Sequence, residues 1–164
     1  MKNIPDRSFS AVIDCFTDDQ FYGLTHETQG WLVTDANQSG GLMFNFEYIE
    51  RTENRLHYNI SMARGTFEGS RVGISTNSYI GLYKIAAVSA FWKMEPLNSE
   101  WEPGQALNFR WRDNLGQVVS MRRYYPLGGY LPDAEGRHHD AQFLCLNHDD
   151  AVPLTFRARN ITFI

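Results

Sequence analysis

The sequence predicts an all-β protein, and three observations support this prediction. Apolar and polar residues alternate along most of the chain, as in "LMFNFEYI" (42–49), which is the period of a strand with one buried face. Gly, Asn, Asp and Pro separate the alternating stretches, and these residues favour tight turns. A strand–turn–strand pattern is also repeated along the chain, whereas the 3.6-residue period of a helix is nearly absent.

Seven strands are predicted in order along the chain, each a short alternating stretch bounded by turn residues. They are "SAVIDC" (10–15), "LMFNFEYI" (42–49), "LHYNISMA" (56–63), "AFWKMEP" (90–96), "LNFRWRD" (107–113), "VVSMRRYY" (118–125) and "LTFRARN" (154–160). The "NLG" between the fifth and sixth stretches predicts a hairpin turn rather than a domain boundary. No low-complexity linker divides the sequence.

The repeated pattern has three copies. "WLVTDANQSGGLMF" (31–44) aligns without a gap with "FLCLNHDDAVPLTF" (143–156), 112 residues later. "FYGLTHETQGWL" (21–32) matches "RVGISTNSYIGL" (71–82) at a spacing of 50, and "AFW" (90–92) then stands where the other copies have Leu-x-Phe. Units of roughly 45 to 60 residues with about four short strands each cannot bury a hydrophobic face alone, so they are expected to close around one core.

A β-trefoil, a threefold barrel with a hairpin cap, is the fold class that these repeats predict. A β-sandwich of similar size is the alternative, because alternating strands do not choose between the two. In the trefoil, Phe44, Trp92 and Phe156 are expected to be buried together. The prediction is a single domain over 1–164, with approximate repeats 9–54, 55–97 and 98–164 and an insertion near 97–117.

Composition excludes several classes of function. With 15 basic and 19 acidic residues the net charge is −4, so the composition does not indicate the excess of positive charge that binds a nucleic-acid backbone. No stretch is long and apolar enough to span a membrane, and no secretory signal is seen. The expected location is the cytoplasm, with release that needs no classical signal as the alternative. Cys15 and Cys145 lack metal-ligand spacing and are expected to be buried and reduced, with a disulfide as the other option.

The closing Leu-x-Phe and Ala-x-Trp motifs resemble a degenerate form of the Gln-x-Trp motif of the ricin-B-type lectins, in which the aromatic residue packs in the trefoil core. The stretch "TDANQ" (34–38) is similar to the polar stretch after the third strand in sugar-binding repeats of that family. The resemblance implies a carbohydrate site in which Trp31 is the stacking platform and Asn37 and Gln38 bond the hydroxyls. It also implies an upstream carboxylate. The full predicted set is Asp18, Asp19, Trp31, Asp35, Asn37 and Gln38.

The polar stretch of the predicted sugar site has a structural interpretation as well. The "TDANQ" stretch has the composition of any turn between strands, and Trp31 can equally be a core residue.

A second group of polar residues combines imidazoles and carboxylates, which suit a transition metal. No spacing fixes a ligand geometry, and a solvated loop is the alternative. Its members are His138, His139, Asp140 and His148. No cofactor is expected.

A third candidate is a surface of arginines and aromatic residues on a predicted hairpin. Bidentate guanidinium contacts suit a sulfated or sialylated glycan or an acidic protein surface. The alternative is a solvated sheet face whose arginine stems cover aromatic rings. The residues are Trp101, Arg110, Trp111, Arg112, Arg122, Arg123 and Tyr125.

Binding rather than catalysis is the expected function. The sequence has no Gly-x-Ser-x-Gly, no phosphate-binding glycine loop and no His-Glu-x-x-His, so a non-enzymatic protein is predicted. The first hypothesis is a lectin-like module that binds a glycan or glycoprotein. The alternative is a protein-binding module, such as a protease inhibitor or toxin partner, that uses the 97–125 loop. Neither a nucleic-acid partner nor an oligomeric state is predicted.

Overall fold

A computed structural model describes residues 5–36, 41–85, 88, 90–98, 100–123 and 142–164, and these residues form thirteen strands, seven of which overlap the predicted stretches. The described residues contain no helix. The strands are β1 (Phe9–Phe16), β2 (Phe21–His26), β3 (Leu32–Asp35), β4 (Leu42–Thr52), β5 (Arg55–Met62), β6 (Arg71–Ile74), β7 (Ile80–Tyr83), β8 (Trp92–Pro96), β9 (Leu107–Arg112), β10 (Ser120–Arg122), β11 (Phe143–Cys145), β12 (Val152–Pro153) and β13 (Thr155–Phe163).

Six of these strands close into an antiparallel barrel. β1 pairs with β13, β13 with β9, β9 with β8, β8 with β5, β5 with β4, and β4 returns to β1. Closure satisfies the backbone groups that an open sheet leaves unpaired at its edges. The barrel therefore joins the two ends of the described chain, because Phe9 pairs with Phe163.

The other strands extend this sheet as short antiparallel pairs. β2 pairs with β3, β6 with β7, and β10 with both β11 and β12. These pairs also contact one another, because Phe143 pairs with Val33, Tyr79 bridges to Cys145 and Trp31 bridges to Gly81. A small apolar cluster fills the space between them, made of Val33, Tyr79, Phe143 and Cys145.

These pairings correct the predicted fold class. Both the β-trefoil with three units of about four strands and the alternative β-sandwich are replaced by a closed six-stranded antiparallel barrel with extra strands. The described part of the third unit contributes five strands, and one sheet connects all thirteen described strands instead of splitting into two layers. The repeated motif indicates which residues of each strand face the core, but it does not indicate which strands pair. Strand partners depend on long-range pairing, which residue spacing does not determine.

Aromatic side chains fill the barrel. Phe44, Trp92 and Phe156 are buried, as predicted, and all three rings contact a fourth, Trp111. Their centroids lie 6.1, 5.3 and 5.2 Å from the centroid of the Trp111 ring, each at a steep interplanar angle. Edge-to-face contacts of this kind add to the free energy gained by burial. The prediction of a shared aromatic core is confirmed.

The region of the predicted insertion contributes a second buried indole. Trp101 is 1% exposed, packs edge-on against Phe163 and donates its indole N–H to the Gln105 carbonyl at 3.0 Å. Trp111 is also 1% exposed. Both had been expected at a ligand-binding surface, and the structure places them in the core instead. Removing apolar rings of this size from water stabilises the folded state, which favours their burial over a position at the surface.

Replacing Trp92 with Ala is expected to lower the free energy of unfolding by about 3–5 kcal/mol, because the change leaves a cavity in the barrel core. It also removes the hydrogen bond from the Trp92 indole to the Val72 carbonyl, which is 3.0 Å long. Urea denaturation monitored by circular dichroism measures the loss. Leu115→Ala is the control, because Leu115 is 80% exposed and its truncation is expected to change stability by less than about 0.5 kcal/mol. A Trp92→Ala loss below about 1 kcal/mol contradicts the described core.

Candidate functional site

The register of the β2–β3 hairpin separates the residues of the predicted sugar site. His26 pairs with Leu32 and Gly23 with Asp35, so Trp31 lies at the far end of the hairpin from Phe21. Six residues of strand separate these ends, which is roughly 20 Å. The structure therefore does not bring Trp31 together with Asp18 and Asp19, which precede Phe21.

Trp31 is held by packing and by a tight turn. The Glu27 carboxylate accepts the Trp31 backbone N–H at 2.9 Å, and the turn closes at Gly30, whose φ of +95° favours glycine. The half-buried indole lies against Gly81, where an added Cβ would come within 3.0 Å of the ring. Trp31 is thus a packing residue between β3 and β7. Asp35 is partly exposed at the end of β3, and Asn37 and Gln38 lie outside the described residues.

Asp18 and Asp19 lie in the turn between β1 and β2, and both are exposed. Thr17 shapes this turn, because its backbone N–H donates to the Gln20 carbonyl at 2.9 Å. Its hydroxyl oxygen also accepts the backbone N–H groups of Asp19 and Gln20, at 3.3 and 3.2 Å. Such local hydrogen bonds favour a turn over continued strand. The two carboxylates are therefore presented to solvent on an ordered turn.

A surface depression of about 400 Å³ lies beside this turn. We name it the β1–β2 depression, and its lining residues are Phe16, Thr17, Asp18, Asp19, Gln20, Phe21, Asn108 and Arg157. The rings of Phe16 and Phe21 are nearly parallel, with centroids 6.3 Å apart. The depression thus combines aromatic surface, carboxylates, amides and one guanidinium.

Barrel closure positions Arg157 in this depression. Arg157 pairs with Asp14 across the β1–β13 ladder, and its Nη2 donates to the Asp14 carboxylate at 3.3 Å. Arg159 donates to the same oxygen from Nε at 2.8 Å, so the buried Asp14 carboxylate is neutralised. The Arg157 guanidinium lies 4.7 Å from the centre of the Phe21 ring. This cation–π contact and the ion pair together fix one wall of the depression.

One of the two amides of the depression, that of Asn108, belongs to β9. Asn108 pairs with Arg157 across the β13–β9 ladder, and its backbone N–H donates to the Asn98 side-chain oxygen at 2.7 Å. The depression therefore combines segments from β1, β9 and β13. Of its residues, sequence reasoning identified only Asp18 and Asp19. Alternation about the buried Phe156 and Ala158 predicts an outward Arg157, but only the strand pairing shows what it meets.

The predicted arginine surface is divided by the structure. Arg110 and Arg112 lie on the outside of β9, where Glu95 of β8 faces them. Arg112 donates to Glu95 Oε1 from Nη2 at 2.8 Å and from Nε at 3.2 Å. Arg55 lies 2.9 Å from Glu95 Oε2, and Arg110 lies 4.0 Å from Oε1. One carboxylate thus serves three guanidinium groups.

These contacts control the ionisation of Glu95. Partial burial raises the pKa of its carboxyl, but the hydrogen bond from Arg112 and the charges of Arg112, Arg55 and Arg110 outweigh burial. The net effect holds the pKa of Glu95 below its ordinary value of 4.5. The carboxylate is therefore ionised throughout the neutral range.

Arg122, on β10, lies apart from these arginines and contacts Asp150 and Tyr79. Its Nε lies 2.7 Å from the Asp150 carboxylate, and its Nη1 donates to the Tyr79 hydroxyl at 2.9 Å. The hydrogen bond to Asp150 raises the pKa of Arg122 above its ordinary value, which keeps the group charged. Arg123 is exposed just after β10, and Tyr125 lies outside the described residues.

The proposed metal ligands are only partly covered. His138, His139 and Asp140 lie outside the described residues. His148 has both ring nitrogens engaged, Nδ1 with Arg122 at 3.2 Å and Nε2 with the Asn77 carbonyl at 2.9 Å. Within the described ranges no three His, Cys, Asp or Glu residues are grouped so that they could hold a metal ion. The described residues thus support no metal site.

Neither Cys15 nor Cys145 has a reactive thiol. Cys15 and Cys145 are buried and free, as expected, and burial is the main cause that raises the pKa of each thiol to about 12. Thiolate is the nucleophilic form, so both groups are chemically inert near neutral pH.

Comparisons with known proteins identify no family. The chain matches no protein-family model, and a search of curated proteins finds no significant match. In the part of the chain that the structure describes, no helix has the length and apolar character to cross a membrane.

The depressed pKa of Glu95 makes a prediction for acid unfolding. A carboxyl with a lowered folded-state pKa stabilises the protein above its unfolded-state pKa and loses that contribution as pH falls through the folded-state value. Glu95→Gln is therefore expected to cost about 1–3 kcal/mol at pH 7, and this difference from wild type is expected to shrink below about pH 4.5. Urea denaturation between pH 7 and pH 3 measures it. The exposed Glu102→Gln is the control, and a Glu95→Gln difference that stays constant with pH contradicts the ion-pair account.

Proposed function

We propose that the protein is a carbohydrate-binding module and that the β1–β2 depression is its binding site. The observation that supports this best is the combination of Phe16 and Phe21 with Asp18 and Asp19 in one open depression. Binding sites that accept small polar ligands usually join apolar walls with a few positioned polar groups.

Aromatic surface suits the apolar side of a sugar ring. Pyranoses carry patches of C–H groups, and these pack favourably against a π face or edge. Phe16 and Phe21 are half-buried, so part of each ring remains accessible. Arg157 and the β1–β2 turn hold the ring of Phe21 in place before a ligand arrives. Such preorganisation reduces the entropy lost on binding.

The polar groups suit the hydroxyl side of a sugar. Each ionised carboxylate accepts several hydrogen bonds, so Asp18 and Asp19 can each take two neighbouring hydroxyl groups. Asn108 offers both a donor and an acceptor, and Arg157 offers donors only. Hydroxyls of a sugar need both kinds of partner. The depression therefore offers both donors and acceptors for the hydroxyl groups of a glycan.

Protein binding through the 97–125 loop is the less favoured alternative. Interfaces are usually anchored by exposed aromatic residues, and the two indoles of this region, Trp101 and Trp111, are buried.

Asp18→Asn with Asp19→Asn is expected to weaken binding at least tenfold, because amides accept fewer and weaker hydrogen bonds from hydroxyls than carboxylates do. A glycan array first identifies a binding sugar, and isothermal titration then measures its affinity for each variant. Both residues are exposed, so the melting temperature should change little.

Glu68→Gln with Asp149→Asn is the matched control. It removes the same charge from exposed positions away from the depression, so its affinity should equal that of wild type. Unchanged affinity in the Asp18 and Asp19 variant, or an array without any binding sugar, would end this proposal.

A further inference from the structure

A row of cationic side chains lies on the outside of the barrel beside the β1–β2 depression. The outward positions of β13, β9, β8 and β5 place them on neighbouring strands, which lie about 4.8 Å apart. The ladders set Arg157 beside Asn108, Arg110 beside Glu95 and Arg112 beside Lys93. We name this the barrel cation strip, and its members are Arg55, Lys93, Arg110, Arg112, Arg157 and Arg159.

The strip is more positive than the rest of the protein. Among the described residues, five of its six cations lie within 4.0 Å of two carboxylates, Glu95 on β8 and Asp14 on β1. The chain as a whole carries a net charge of −4, so this excess is local. Grouping like charges costs free energy, and an anionic ligand would relieve that cost.

Arg110 is the member best placed to receive a ligand. Its side chain is 46% exposed, and the 4.0 Å separation from Glu95 is too long for a hydrogen bond. Arg112 is used differently, because it bonds Glu95 twice and donates to the Gly116 carbonyl at 2.7 Å. Arg112 and Arg55 are thus the closer partners of Glu95. The guanidinium of Arg110 keeps donors for an incoming anion.

The strip and the β1–β2 depression are continuous. Phe16 pairs with Thr155 on β13, and Phe156 pairs with Phe109 on β9. Extending this register by one residue places Arg110 beside Thr155. Two strand spacings, about 10 Å, therefore separate Phe16 from Arg110, and one ligand of a few sugar units can contact both. Arg157 belongs to both features.

We infer that the ligand of the β1–β2 depression is an anionic glycan, one sugar of which binds between Phe16, Asp18 and Asp19 while its sulfate or carboxylate group binds Arg110. This inference rests on the proposed function and specifies its ligand class. Asp18 and Asp19 repel a ligand charged along its whole length, so a glycan with spaced charges fits better than a nucleic-acid backbone.

The test compares wild type, Arg110→Gln and the matched control Arg64→Gln, which removes the same charge from an exposed residue on the 63–69 loop. Affinities are measured by titration with four probes. These are a tetrasaccharide that carries one sulfate, a carboxylated hyaluronan tetrasaccharide, the neutral sugar found on the array and a single-stranded oligonucleotide. Each titration is run at low and high salt.

Arg110→Gln is expected to weaken binding of the sulfated or carboxylated probe at least fivefold and to reduce its salt dependence, while Arg64→Gln has no effect. The probe that responds distinguishes sulfate from carboxylate. Binding of the neutral sugar alone, with no effect of Arg110→Gln, overturns this inference and leaves the proposed function standing. Equal losses in both variants, or equally tight binding of the oligonucleotide, also overturn it. Failure of every sugar probe overturns the proposed function as well.

Discussion

Pairing of β1 with β13 is the constraint on which the rest of the structure depends. It joins residues 9–16 to residues 155–163 and closes the barrel. Such long-range pairing costs chain entropy, which the burial of the aromatic core offsets. Phe156 on β13 contacts Trp111 on the neighbouring strand β9, and Trp111 in turn contacts Phe44 and Trp92.

The same pairing explains the polar surface. Asp14 faces Arg157 across the ladder and is buried there, and a buried carboxylate is tolerated only when cations neutralise it. Arg157 then packs on Phe21, which makes one wall of the β1–β2 depression. Glu95 organises Arg55 and Arg112 in the same manner on the neighbouring strands. Charge pairing required by the fold thus also shapes the candidate site.

Sequence patterns predict local features of this protein better than long-range ones. Alternation predicts the strands and the burial of Phe44, Trp92 and Phe156, because a strand places every second side chain on one face. It does not predict the closed barrel, since partners are chosen over the whole chain. Residue type alone leaves two roles open at Trp31, because the sequence does not show that its indole packs against Gly81. The positions of Asn108 and Arg157 beside Asp18 and Asp19 could not be predicted from the sequence, because only strand pairing brings these residues together.

Mapping of backbone amide chemical shifts during titration with the sugar found on the array tests the central claim most directly. The account predicts that the largest shifts cluster at residues 16–21, Asn108 and Arg157, and that the residues around Trp31 and Gly81 change little. The largest shifts around Trp31, or around Tyr79 and His148 on the hairpins, would contradict it.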